Sequence, residues 1–268
     1  MLPIVDKPLI QYAVEEAVEA GITELIFVTG RSKRAIEDHF DCAYELEDTL
    51  NKAGKEELLA TVTDIIPSNV KCIFTRQSRP LGLGHAVLCA KEIVGNSPFA
   101  VMLADDFMTN TGRGVLRQMV DMYAKTNTSM VAVQEVPYED TKSYGIVSVS
   151  TLNRQMILPI PGFTVPIQGI VEKPHPSVAP SNLAVVGRYI FDPLIFNYLD
   201  LIKPGAGGEI QLTDAISEML KLCQVDAFNF EGKRYDCGSK LGYLQATVAM
   251  GMEHPEIGQM FREYLKSL

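Results

Sequence analysis

The chain is short of positive charge: 24 Lys and Arg stand against 33 Asp and Glu, a formal net charge of −9. That balance argues against nucleic acid as the main partner, because phosphate backbones are gripped by clustered cations. Capture of a single phosphate by local Lys, Arg and backbone N–H groups stays open. No apolar run approaches the length of a membrane span, and Met1-Leu2-Pro3-Ile4-Val5-Asp6 is no signal peptide, so no membrane role is expected. The five cysteines are odd in number and scattered, with no Cys-x-x-Cys pair, as reduced thiols of a cytoplasmic protein would be. No two of His85, His175 and His254 have metal-ligand spacing, and each is read as structural or solvent-exposed. Repeats and low-complexity tracts are absent too. What is there is an ordinary globular composition, 47% hydrophobic and 21% charged over 268 residues, with ample core for an α/β fold.

Helix-period and strand-like segments alternate, which predicts an α/β protein with a mixed, mostly parallel central sheet and helices on both faces. Lys7 to Ala20 reads as a helix with Ile10, Val14 and Val18 on one face and Gly21 as its stop. From about residue 32 to 66 the pattern is helical and acidic outside, broken at Gly54. Further helices are expected over Gly84–Val94, Val115–Ala124, Leu194–Leu201, Ile210–Leu222, Leu241–Met250 and Pro255–Leu265. Leu25–Val28 and Phe99–Leu103 read as buried strands, with others at Val70–Thr75 and Met130–Val136. After Pro137 the character changes to a partly antiparallel region: Gly145–Ser150 alternates apolar and polar, 159–166 is rich in Pro and Gly, and Ile167–Val171 and Val185–Phe191 follow as strands, with a last one near Ala227-Phe228.

The run Gly169-Ile170-Val171-Glu172-Lys173-Pro174 carries the most chemistry. A carboxylate accepts hydrogen bonds from hydroxyls, and an ammonium holds a phosphate as a point charge, so Glu172 and Lys173 together suit a sugar phosphate. Neighbours in a strand point to opposite faces, so the pair serves one ligand only if the backbone bends there, and Pro174 favours a bend. Gln77-Ser78-Arg79-Pro80-Leu81-Gly82-Leu83-Gly84-His85-Ala86 lies between a strand and a helix, where α/β sheets bind ligands. Its glycines admit close approach, and Gln77 has the donor and acceptor to read a base edge, although no third glycine completes a dinucleotide fingerprint. Leu103-Ala104-Asp105-Asp106 ends an apolar strand with two hard oxygen ligands suited to Mg2+ carried with a nucleotide; Asp106 is assigned instead to capping the following turn. Asp236, in Tyr235-Asp236-Cys237-Gly238, offers a second carboxylate, with Ser239 able to cap the next helix. In Gly207-Gly208-Glu209-Ile210-Gln211-Leu212-Thr213-Asp214, Glu209 is read as opening a helix. Taken singly, each motif also has a plain structural reading as a strand end, turn or cap.

Together with Leu2-Pro3-Ile4-Val5-Asp6-Lys7-Pro8 and Tyr144-Gly145, these runs resemble the sugar-1-phosphate nucleotidylyltransferases over essentially the whole chain. The resemblance implies a Rossmann-like nucleotidyltransferase fold and transfer of a uridylyl group from UTP to glucose 1-phosphate. It implies that Gln77 and Gly82 hold uracil, that Asp105 and Asp236 hold Mg2+, that Gly145 and Glu172 contact glucose, and that Lys173 holds the sugar phosphate. Asp105 and Lys173 would carry the catalysis. One domain over residues 1–268 is expected, with a sugar-binding region embedded at about 137–191 and C-terminal helices at about 239–267, in a cytoplasmic homo-oligomer. The family opens with a strand, a Gly-x-Gly-Thr-Arg loop and a Lys, and Met1 aligns after them. A chain beginning at Met1 is therefore expected to show little activity and reduced stability. Other readings are a non-catalytic sugar-nucleotide-binding protein, a glycosyltransferase (whose Asp-x-Asp motif differs from the adjacent Asp105-Asp106) and an interaction module built on the acidic stretch from Glu37 to Glu57.

Overall fold

The computed structural model describes residues 1–157, 160–205 and 208–268. In chain order its elements are β1 (Pro3–Ile4), β2 (Lys7–Pro8), α1 (Leu9–Glu19), β3 (Glu24–Thr29), α2 (Arg34–Phe40), α3 (Tyr44–Lys52), α4 (Glu56–Thr63), β4 (Lys71–Arg76), α5 (Leu83–Leu88), α6 (Lys91–Val94), β5 (Phe99–Met102), β6 (Asp106–Thr109) and α7 (Val115–Thr126). There follow β7 (Ser129–Glu135), β8 (Gly145–Ser148), α8 (Thr151–Ile157), β9 (Phe163–Pro166), β10 (Gly169–Glu172), β11 (Leu183–Phe191), α9 (Ile195–Leu201), α10 (Leu212–Met219), β12 (Val225–Asn229), β13 (Lys233–Asp236), α11 (Lys240–Glu253) and α12 (Gly258–Ser267). Gly207 lies outside the described residues, as does the start of the Pro/Gly-rich stretch at 159.

β11 organises the main sheet. All nine of its residues are buried, as a near-continuous apolar run demands when both faces are covered. Leu183, Val185, Tyr189 and Phe191 pack toward α9 and α10 along with Val131 and Val133, while Val186 and Ile190 pack toward α1 and α7 along with Met130 and Ala132. That is the two-residue alternation of a strand, and it puts helices on both faces. Phe99 stacks on Phe196 of α9 with ring centroids 4.9 Å apart. Among the described residues no helix is long and apolar enough to cross a membrane.

The sheet is mixed, but its expected parallel character is corrected: β11 pairs antiparallel with β5, β7 and β8, β10 with β8, and β9 with β12, leaving β12–β7 and β3–β4 as the parallel pairs among the described strands. Short connections after residue 137 return neighbouring strands in opposite directions, and helix-strand alternation alone does not reveal this. Leu25–Val28 and Phe99–Met102, expected buried, are only half-buried. β3 pairs with β4 alone, and β5 with β11 alone, so neither strand sits between two ladder neighbours among the described residues. α1 begins at Leu9, and the buried face is Leu9, Val14 and Ala17, with Ile10 and Val18 only half-covered. Gly21, at φ 88°, ends it as expected. The 32–66 stretch forms three helices with no buried residue, broken at Gly54 and again at 41–43. Gly84–Val94 is divided between α5 and α6.

Candidate active site

Asp105 lies in the turn between β5 and β6, and Asp236 is the last residue of β13. The antiparallel β13–β6 pair sets Asp236 opposite Asp106, and the Cys237 N–H donates to the Asp105 carbonyl at 2.8 Å. The two carboxylates therefore converge on one spot: a side chain added at Gly238 would come 3.2 Å from Asp105 Oδ2 and 3.1 Å from Asp236 Oδ1. Glycine keeps that space open, and the Gly238 N–H donates to Asp236 Oδ1 at 3.0 Å. Ser239 caps α11 by accepting from the Gly242 N–H.

Asp106 does not cap the following turn, contrary to expectation. It is 7% exposed, accepts from the Gly187 N–H at 2.9 Å, and is paired with the Arg234 guanidinium. The register of β11 shifts between Val185 and Tyr189, and a side chain at Gly187 would collide with Asp106 at 2.5 Å, so the irregular strand makes the niche that the carboxylate fills. Burial pushes the Asp106 carboxyl up, and Arg234 and the Gly187 N–H hold it back. Arg188, 1% exposed, ion-pairs with Glu16 at 2.6 Å and donates to the carbonyls of Leu103 and Asp106, clasping both ends of the turn that carries Asp105. Cys237 is pushed up to about 11, by burial first and then by the surrounding aspartates, so its thiol stays protonated.

At the other end, Glu172 closes β10 opposite Gly145, which opens β8. A side chain at Gly145 would lie 2.7 Å from the Thr213 methyl, and Thr213 donates to Glu172 Oε2 at 2.9 Å. Lys173 has φ 44°, a left-handed conformation costing a non-glycine residue about 1–3 kcal/mol. This is the bend the strand argument required. Its ammonium comes 3.5 Å from Glu172 Oε1, so the neighbouring side chains serve one place, and the Lys173 N–H donates to the Tyr144 carbonyl at 2.9 Å.

Gln77 donates through its amide to the Gly82 carbonyl (2.9 Å) and to His85 Nδ1 (3.0 Å), leaving its own oxygen as the free acceptor. Side chains at Gly82 or Gly84 would each meet the Ile210 carbonyl at 2.8 Å, and Gly82 also has φ 95°. The Ile210 N–H donates to the Leu81 carbonyl and the Gly84 N–H to the Ile210 carbonyl. Glu209 does not open a helix: α10 starts at Leu212, and Glu209 accepts from the Gln211 amide instead. Residues 209–213 form a strap from the Gly82 loop to Glu172. Thr213, Gly238 and Arg234 were not picked out from the sequence as site residues; the only signal for Gly238 was its glycine beside a strand-end acid.

Among the described residues no cluster of three or more His, Cys, Asp or Glu side chains is arranged to hold a metal by itself. Two carboxylates around an open point fit Mg2+ nonetheless, since that ion takes one or two protein carboxylates and completes its shell with substrate phosphates and water. Strand-end acids, a cation on a bent strand and a glycine loop form the set of groups a phosphate-transfer site needs. The nucleotidyl transferase family description matches residues 1–252. The chain belongs to that family. Among this family's curated members, it is 49% identical to the UTP–glucose-1-phosphate uridylyltransferase of Bacillus subtilis and 46% identical to that of Haemophilus ducreyi, in alignments covering all of this chain and 88% and 90% of those proteins. Its fold matches a UTP-bound enzyme of the same kind from Acinetobacter baumannii with a TM-score of 0.90 at 44% identity, covering all of this chain and 90% of that one. A UDP-glucose pyrophosphorylase complexed with UDP-glucose matches at 0.83 and 44% identity over 95% of this chain and 90% of that one.

Proposed function

We propose that the chain transfers the uridylyl group of UTP to glucose 1-phosphate, forming UDP-glucose and pyrophosphate. The observation that carries this is the convergence of Asp105 and Asp236 around Gly238 together with the bend that aims Glu172 and Lys173 at one place. A phosphate oxygen of glucose 1-phosphate attacks the α-phosphorus, and pyrophosphate leaves with the electrons of the broken P–O bond. The attacking phosphate is already ionised, so positioning and charge neutralisation replace a general base. Lys173 neutralises and aligns the sugar phosphate, and Glu172, held by Thr213, accepts from glucose hydroxyls beside Gly145. The free Gln77 oxygen accepts from the uracil ring N–H, and Gly82 leaves room for the base. Bound between Asp105 and Asp236, Mg2+ would neutralise the triphosphate. We assign sugar binding to 137–191, with Thr213 reaching in from α10.

The five free thiols support a cytoplasmic home. Self-association is supported by Leu241, Leu244 and Val248, exposed at helical spacing on α11, and by Met260 and Tyr264, exposed four residues apart on α12. The deciding assay mixes protein, UTP, glucose 1-phosphate and Mg2+ and follows pyrophosphate and UDP-glucose. Stoichiometric appearance of both is expected, against the little activity that the resemblance implies for a chain beginning at Met1. Tight UDP-glucose binding without turnover would establish the non-catalytic alternative instead.

A further inference from the structure

We infer that Tyr144 and Arg234 are positioning residues that lock the metal-binding acids to the sugar-phosphate end of the site; this rests on the proposed assignment of Asp105 and Asp236 to the metal. Tyr144 touches both ends. Its carbonyl accepts the Lys173 N–H at 2.9 Å, and its hydroxyl donates to Asp236 Oδ2 at 3.1 Å. One rigid ring thus spans from the strained lysine to the carboxylate. The same hydroxyl accepts from Arg234 Nη1 at 3.4 Å, and the guanidinium sits over the Tyr144 ring, 5.1 Å from its centroid.

Arg234 handles the charge. Three carboxylates, those of Asp105, Asp106 and Asp236, meet where β6 and β13 pair. Arg234 stands two residues before Asp236 on the same face of β13. It pairs with Asp106 and lies 3.8 Å from Asp236. With 8% of its side chain exposed, it cancels the one acid that faces inward, leaving Asp105 and Asp236 to a divalent cation. Asp236 is then fixed through both oxygens, Oδ2 by Tyr144 and Oδ1 by the Gly238 N–H. Groups that orient ligating carboxylates in this way govern metal affinity by roughly 10–100-fold.

The test reads Mn2+ binding by the loss of the free-ion EPR signal, alongside thermal unfolding and steady-state kinetics. Tyr144→Phe keeps the ring, the Arg234 contact and the main chain and removes only the hydroxyl. It is expected to raise the Kd for Mn2+ about tenfold, to lower kcat and to raise KM for glucose 1-phosphate, with an unchanged thermal midpoint. Arg234→Met strands a buried carboxylate and should lower the midpoint. Adding Asp106→Asn removes both charges, and the double variant should regain the midpoint but not the Mn2+ affinity. Recovery of both would make the pair merely structural and overturn the role of Arg234. Unchanged Mn2+ affinity in Tyr144→Phe would overturn that of Tyr144. Asp105→Asn and Asp236→Asn, run in parallel, separate the two levels: if they bind Mn2+ normally, the metal assignment and the inference both fall. If they lose it while Tyr144→Phe does not, only the inference falls.

Discussion

The acid end of the site and its Gln77 loop are held by different forces. The acid end is a lattice of charges: Glu16 with Arg188, Asp106 with Arg234, and Tyr144 on Asp236, most of them shielded from water. The loop of Gln77 and Gly82 is held instead by backbone against backbone, with Ile210 so close that neither Gly82 nor Gly84 has room for a methyl group. Low dielectric makes the first arrangement strong when complete and costly when one member is lost. Close packing makes the second indifferent to charge and intolerant of volume. The acid end should therefore break when a charge is removed, and the loop when an atom is added.

The largest effect is expected at Arg188. Arg188→Met takes the guanidinium from Glu16 and from the Leu103 and Asp106 carbonyls, leaving Glu16 only the Leu116 N–H at 3.0 Å and no countercharge, and the loss of one partner of a buried pair costs about 3–5 kcal/mol. Denaturant unfolding measures it, and combining the change with Glu16→Gln should restore part of the loss. A shift in midpoint no larger than that of a surface substitution would remove the ion pair from the account of the acid end.

Gly82→Ala comes next. A left-handed backbone and a clash with the Ile210 carbonyl add to roughly 2–5 kcal/mol, and UTP affinity should fall more than glucose 1-phosphate affinity. Gly54, at φ 65° with nothing within 4 Å of an added methyl, is the control. Gly54→Ala carries only the backbone cost, so equal destabilisation at both positions would mean that volume is not what the loop resists.

Lys173→Ala should weaken glucose 1-phosphate by about 1.5–3 kcal/mol and leave UTP nearly untouched, as titration calorimetry would show. Lys173→Gly should lose the same affinity yet gain stability, because relief of the φ of 44° releases about 1–3 kcal/mol against roughly 0.5–1 kcal/mol for the entropy of glycine. Weakening of UTP alone would take Lys173 out of its role.

The smallest effect concerns thiols. Cys237 is buried as well as pushed up to about 11, so its thiolate is both scarce and shielded, whereas Cys42, though also pushed up by its hydrogen bond with Glu47, is exposed. Alkylation at pH 8 followed by mass spectrometry should label Cys42 and spare Cys237, and uridylyl transfer should survive it. Rapid modification of Cys237 would show the acid end to be more open than its packing implies.

Much of the candidate site was legible because its residues sit in short runs. Glu172-Lys173-Pro174 announced a bend, and the φ of Lys173 supplies it. Asp105 and Asp236 were readable as strand-end acids. Asp106 was misread because its partners are remote: Gly187 and Arg234 lie 81 and 128 positions along the chain. Glu209 was misread because a charge before an apolar run resembles a helix start, while the hydrogen bonds of Ile210 use that segment as a strap. In the fold, helices α7 and α9 were found nearly to their ends. The burial of Leu25–Val28 was overestimated, because an apolar run reports a preference for the interior and not how many neighbours a strand has.

The sequence by itself determined the local elements, the reactive residue types and the bend before Pro174, since these depend on neighbours a few residues apart; which positions admit only glycine was decided by remote groups such as Ile210 against Gly84 and Asp106 against Gly187. The tertiary structure alone decided that β11 pairs antiparallel with three strands, that Thr213 holds Glu172 and that Tyr144 reaches Asp236 across 92 positions. Such pairings follow from strand register and from how layers of side chains fit, and register is set only when the whole core closes.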